Sequence, residues 1–206
     1  MLEVYLFINP ISETCYQTEK KIINLLNESN YKIRFRVLPL LTLSTVNYAM
    51  EHVGLPCVMR NQIVDTLYHA SLDYEAALFQ GQKRGRDFLI NIQECTLRNN
   101  FKYSEKMVRN VAQISHLDWK IFEEDRKSKL AVKTFRKDQQ IAAEMNISTY
   151  PTVVLTNTKF PDYAFSLDPW KSFDKLKQLI LQPDNFANFS TNCTQSQFLR
   201  PARLKE

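Results

Sequence analysis

Apolar residues run almost without interruption from Leu2 to Ile8, the pattern of a strand covered on both faces, and Asn9-Pro10 ends the run. From Ser12 the spacing becomes helical. Serine is a good N-cap, Glu13 suits the positive first turn, and Cys15, Ile22 and Leu26 share a stripe with Ile23 beside it. Asn27 to Asn30 closes this predicted helix. The next stretch, YKIRFRVLPL, alternates, with Ile33, Phe35 and Val37 on one face and Lys32, Arg34 and Arg36 on the other. A strand with one wet, cationic face belongs near a sheet edge, where the charge also discourages pairing with another molecule.

Between about Leu41 and Met145 apolar residues recur at helical spacing: Val64, Leu67 and Tyr68; Phe88, Leu89 and Ile92; Val108, Val111 and Ala112. Gly54-Leu-Pro, Gly81, Gly85 and Asn99-Asn100 are the expected breaks, so this is a helical block of four or five helices. STYPTVVLTN and DYAFSL then read as two strands joined by a turn around Lys159-Phe-Pro-Asp. A closing amphipathic helix follows, with Phe173, Leu176, Leu179 and Ile180 as its stripe.

The order is strand, helix, strand, helical block, strand, strand, helix. A thioredoxin core is built in this order, and a helical block at that point interrupts the core without disturbing its sheet. The expected fold is therefore α/β, thioredoxin-like with an inserted helical domain. Residues 1–41 and 146–182 would form the discontinuous thioredoxin-like domain and 42–145 the insertion. Residues 183–206 would form a polar tail, loosely held or disordered.

Composition narrows the class. The 206 residues, 44% hydrophobic, suffice for one good-sized core, and no apolar run approaches the ~20 residues needed to cross a bilayer, so no membrane association is expected. MLEVYLFINP has no positive n-region and meets a proline almost at once, which reads as a first strand rather than a signal peptide. The four cysteines, Cys15, Cys57, Cys95 and Cys193, form no C-x-x-C pair and lack the spacing of a disulfide-stapled domain, which points to a reducing compartment, the cytoplasm. A net charge of +5 favours an acidic partner but is too diffuse to argue for nucleic acid, and neither an aromatic-basic RNA motif nor a C₂H₂ pattern is present.

The chemically informative stretch is FINPISETCYQ, residues 7–17. In a thioredoxin-like site an exposed cysteine opens the helix, where free N–H groups stabilise its thiolate, and a second cysteine one turn in closes a disulfide. Ser12 holds the first place and Cys15 the second. A serine hydroxyl neither ionises at neutral pH nor forms a disulfide, and Cys15 reads as a buried small hydrophobe rather than a nucleophile. The second landmark is Thr149-Tyr150-Pro151-Thr152. A proline opening the strand that faces this helix is where thioredoxin folds carry a cis peptide bond, leaving the preceding backbone ready to pair with an extended peptide. The matched element order favours cis; a trans proline opening an ordinary strand is the plainer reading.

Other candidates carry less. His52, His69 and His116 have no carboxylate or cysteine at ligand spacing, so no metal is expected. GQKRGR, residues 81–86, lacks the lysine-hydroxyl ending of a phosphate loop and reads as a break in the helical block with exposed cations beside it. The stretch from Lys127 to Lys137, with Lys129, Lys133 and Arg136, is ordinarily a solvated helix face, although a positive face also suits an acidic partner.

The chain resembles DsbA-like thioredoxin-fold proteins, and more narrowly the YjbH, or SpxH, family of cytoplasmic adaptors. The residues that carry this are FINP-x-SETCY, where the family has an F-x-D-P-x-C-x-x-C-W pattern, the stretch DYEAALFQGQKRGRDFL in the helical insertion, and YPTVVL. The resemblance implies a cofactor-free, non-enzymatic role: binding the transcription regulator Spx and speeding its degradation by the ClpXP protease. It leaves Ser12, Cys15, Tyr150 and Pro151 as a degenerate active-site region, with Thr149, Lys83, Arg84 and Arg86 as candidate partner contacts. Two enzyme readings stand beside it. The fold also resembles kappa-class glutathione transferases and their isomerase relatives, in which a serine at the position of Ser12 would stabilise a glutathione thiolate. A single-thiol oxidoreductase would instead use Cys15, and would require that thiol to be exposed and acidic.

Overall fold

The computed structural model describes residues 1–53, 60–98, 103–186 and 198–199. Cys57, Cys193 and the expected breaks at Gly54-Leu-Pro and Asn99-Asn100 lie outside them. The elements in chain order are β1 (Leu2–Ile8), α1 (Glu13–Glu28), β2 (Ile33–Pro39), α2 (Leu43–Val53), α3 (Arg60–Phe79), α4 (Gln82–Arg98) and α5 (Glu105–Ile114). They continue with α6 (Trp119–Asp125), α7 (Lys129–Glu144), β3 (Thr152–Asn157), β4 (Phe160–Leu167), α8 (Phe173–Leu181) and β5 (Phe198–Leu199). The sheet order is β2-β1-β3-β4-β5, with β1 and β2 parallel and the other pairs antiparallel.

β1 is buried on both faces, as its continuous apolar run predicts. Leu2, Val4, Leu6 and Ile8 join the main core with Ile22 and Leu25 of α1, Leu176 and Ile180 of α8, and Phe88 and Ile92 of α4. Tyr5 and Phe7 point the other way, against Ile141, Ala142 and Met145 of α7. The sheet is thus covered by α1 and α8 on one side and α7 on the other.

β2 is an edge strand, as its cations suggest. Its polar face is not wholly wet, however. α7 lies across it, so that Arg36 meets the buried Asp138 at 3.2 Å, and Gln139 accepts from Leu41 N–H at 3.0 Å while donating to the Pro39 carbonyl at 2.6 Å.

The helical block holds six helices among the described residues, α2 to α7, rather than four or five. Gly81 is a true break, with φ at +120° between α3 and α4. Gly85 is not. It lies inside α4, where a Cβ would stand 2.5 Å from Leu78 Cδ2, so its role is close approach of α3 and α4. Arg126, which caps the C-terminus of α6, joins three parts of the block. It donates to both oxygens of Asp73 on α3 (2.6 and 2.8 Å) and both oxygens of Glu105 on α5 (2.7 and 2.8 Å), and the Tyr103 hydroxyl also donates to Asp73.

Two expectations near the C-terminus change. β4 already starts at Phe160, so Phe160-Pro161 belongs to the strand and the turn is Thr158-Lys159; a register irregularity at Thr156/Asn157 accommodates the proline. The chain beyond Leu181 is engaged rather than loose at its start. Pro183–Asn185 forms a 3₁₀ turn, Phe186 is fully buried edge-on to Phe165 at 4.8 Å, and β5 pairs with β4.

Candidate functional site at the mouth of helix α1

The site forms where β1 gives way to α1. Asn9, 1% exposed, spends every polar group there. Its backbone N–H donates to Cys15 Sγ at 3.3 Å, its carbonyl accepts from Ser12 N–H at 3.2 Å, Oδ1 accepts from Ile11 N–H at 2.9 Å, and Nδ2 donates to the Tyr150 hydroxyl at 3.0 Å. In the sequence Asn9-Pro10 reads only as a strand terminator. Asn9 is instead the residue that fixes Ser12, Cys15 and Tyr150 relative to one another.

Ser12 stands at the N-cap of α1 with extended backbone, yet its hydroxyl bonds Thr14 Oγ1 at 2.8 Å and caps no backbone N–H. It is half-buried at the helix mouth. Cys15 is 0% exposed, and burial pushes its thiol up to about 12; the Asn9 N–H and the Ser12 and Thr14 hydroxyls oppose this, while Glu19 reinforces it. The exposed, acidic thiol that a single-cysteine enzyme requires is therefore not what this helix presents. Cys15 and Cys95 are both free thiols.

Tyr150–Pro151 is a cis peptide bond. The Tyr150 ring is buried, its hydroxyl donating to the Thr45 carbonyl at 3.3 Å and its ring edge-on to Tyr48 at 5.2 Å, so α2 closes over this side of the site. Burial raises the Tyr150 phenol above its usual range. Thr149 is exposed, and its carbonyl already accepts from Thr152 Oγ1 at 2.8 Å. Beside this loop lies a polar cleft of about 360 Å³, lined by Asn146, Ser148, Thr149, Thr152, Ser166 and Lys171 among others.

The cationic candidates divide. Lys83 and Arg84 are exposed in the first turn of α4, whereas Arg86 is half-buried and its charge acts on Glu19 of α1. Glu19 and Gln93, facing each other from α1 and α4, are both 0% exposed, and none of their side-chain oxygens and nitrogens has a hydrogen-bond partner within 3.5 Å. Burial pushes Glu19 up to about 8, with Arg86 and Gln93 pulling the other way. No group of three or more His, Cys, Asp or Glu side chains among the described residues is placed to hold a metal. No described helix is long and apolar enough to cross a membrane.

The helix mouth with Ser12 and Cys15 and the cis-proline at Pro151 lie within residues 5–178, over which the chain matches a family model described as Thioredoxin. The chain belongs to the thioredoxin family. Its sequence is similar to the ClpXP adapter protein SpxH of Bacillus subtilis (28% identity over 200 residues, 88% of this chain and 67% of that protein). The SpxH of Bacillus licheniformis is 29% identical over 175 residues, 76% of this chain and 58% of that protein. The chain thus spans roughly six-tenths of the length of these relatives. In three dimensions this thioredoxin-family chain is similar to DsbA of Pseudomonas aeruginosa (TM-score 0.62, 13% identity, 92% of this chain and 88% of that one). It is also similar to the oxidoreductase DsbA of Xylella fastidiosa (TM-score 0.60, 12% identity, 93% and 87%). These structural likenesses establish the fold, with the helical insertion that sequence order predicts.

Proposed function

We propose that this chain is a cytoplasmic adaptor that binds an Spx-like transcription regulator and hastens its degradation by ClpXP, without dithiol oxidoreductase activity. The observation that carries the reading is the state of the two active-site positions: a hydroxyl at the exposed one and a sealed thiol at the other. Thiol–disulfide exchange proceeds through attack by an accessible thiolate on a disulfide sulfur. A Cys15 held at about 12 behind Asn9 supplies too little thiolate at neutral pH and no access to it. What remains is a surface, and the similarity to proteins named as ClpXP adapters supports its use for recognition.

In this reading the partner docks at the degenerate site of Ser12, Tyr150 and Pro151, with the exposed Thr149, Lys83 and Arg84 as further contacts. Arg86 then serves inside, opposite Glu19, rather than as a contact. The test measures the rate at which ClpXP degrades purified Spx with and without this chain. A several-fold acceleration is expected, together with no reduction of insulin disulfides above background; an unchanged degradation rate or enzyme-like insulin reduction overturns the proposal.

A further inference from the structure

The strongest uncompensated feature outside the thioredoxin site is the outer face of α7. Its inner face is fully used: Ala131, Phe135, Asp138, Ile141 and Ala142 are buried against β2, α3 and the sheet. On the outer face Lys129, Lys133, Arg136 and Lys137 are all exposed. At 3.6 residues per turn they fall within an arc of about 100° and along about 12 Å of helix.

None of the four makes an ion pair among the described residues, although Lys127 close by is paired with Glu123, and Arg98 of α4 with Glu94. The arrangement opposes helix stability twice over. Lys129–Lys133 and Lys133–Lys137 are like-charge pairs at i,i+4, each costing a few tenths of a kcal/mol. Lys129 also opens the helix, where the dipole disfavours a cation, and the first turn has no acidic residue. At the C-terminal end the run stops at Gln140, which donates to the Glu144 carboxylate at 2.8 Å. A cationic strip that weakens its own helix, with no ion pair to any of its four side chains among the described residues, suits compensation from outside the fold.

We infer that the outer face of α7, from Lys129 to Lys137, is a docking surface for an acidic segment of another protein. Charge complementarity selects that occupant. A bilayer would need an apolar face, and only Leu130, 55% exposed, is available beside the strip. A single-stranded nucleic acid would need aromatic side chains interleaved with the cations, and the strip has none. The inference stands apart from the adaptor reading, because its test involves neither Spx nor a protease.

The experiment uses a fluorescein-labelled peptide with glutamates at every fourth position in an alanine background, titrated with the full chain and followed by fluorescence anisotropy at low and physiological salt. A 16-base-pair DNA duplex and phosphatidylserine vesicles serve as competing probes. Saturable, salt-sensitive binding of the peptide is expected. In K133E/R136E/K137E the affinity should fall by about tenfold or more, while the control K175E/K177E, altering exposed lysines of α8, should stay within about twofold. The triple variant turns 129–133 into an opposite-charge i,i+4 pair but leaves 133–137 like-charged, so its Tm should stay within about 2 °C of the parent chain's, which separates lost docking from lost folding. Absence of saturable binding, equal losses in both variants, or equal or tighter binding of the duplex or the vesicles overturns the inference.

Discussion

Glu19 is the residue that departs furthest from ordinary behaviour for its type near the helix mouth: a carboxyl on the core face of α1, one turn beyond Cys15, with no hydrogen-bond partner. Its folded pKa, about 8, is raised above the usual 4.5. A carboxyl raised in this way contributes stability that is complete below about pH 4.5, is lost as pH climbs through about 8, and changes no further above that. Glu19→Gln should therefore raise the unfolding free energy at pH 8 by on the order of a few kcal/mol and change it little near pH 4.5. Denaturant titrations at the two pH values check this; equal effects at both would refute it. Cys15 gives a second prediction at this scale. Brief alkylation of the native chain at pH 8, with peptide mapping, should label the partly exposed Cys95 well ahead of Cys15, and unfolding in denaturant should remove the difference. The burial of Cys15 was legible in its place on the stripe with Ile22 and Leu26, whereas that of Glu19 was not, because Arg86 and Gln93 of α4, which act on it, arrive some 70 residues later.

Among the elements, Gly85 shows how a residue read as punctuation can be packing. Gly85→Ala adds helix propensity worth about 1 kcal/mol. It also drives a Cβ to 2.5 Å from Leu78 Cδ2, 2.9 Å from Leu78 Cγ and 3.0 Å from Leu78 Cα. The crowding involves backbone as well as a flexible tip, so net destabilisation of about 1–3 kcal/mol is expected, measured by chemical denaturation. β1, α1, β2 and α8 could be read from the chain because each buries one regular stripe or run. α6 escaped the count at only seven residues. α3 is buried on every side from Ala70 to Ala77, so its inner half has no periodicity to detect. The start of β4 was hidden by Phe160-Pro161, which has turn composition but strand geometry.

At the scale of the molecule, the helical block is held by charge as well as by apolar packing. Arg126→Ala leaves Asp73 buried without its cation and should cost about 3–5 kcal/mol, with the far- and near-ultraviolet signals still unfolding together. A second acidic site adds to the pH response. Burial pushes both Glu75 of α3 and Asp138 of α7 up, and Arg36 favours the charge on Asp138, so the proton stays on Glu75, raised to about 9. Glu75 and Glu19 thus act in the same direction, and the whole chain should be more stable at pH 5 than at pH 9.

The hydroxyl of Tyr74, in the middle of α3, reaches the Val37 carbonyl of β2 at 3.4 Å, and Gln139 of α7 grips the same strand at Pro39. Both helices belong to the segment that interrupts the chain between the two halves of the sheet. Severing the polypeptide near residues 41 and 146 would strip an outer strand of its lining and lay bare α3, which is buried on every side from Ala70 to Ala77. Neither fragment would keep a dry interior, so a truncation meant to isolate the recognition face would yield two sticky, half-folded pieces instead.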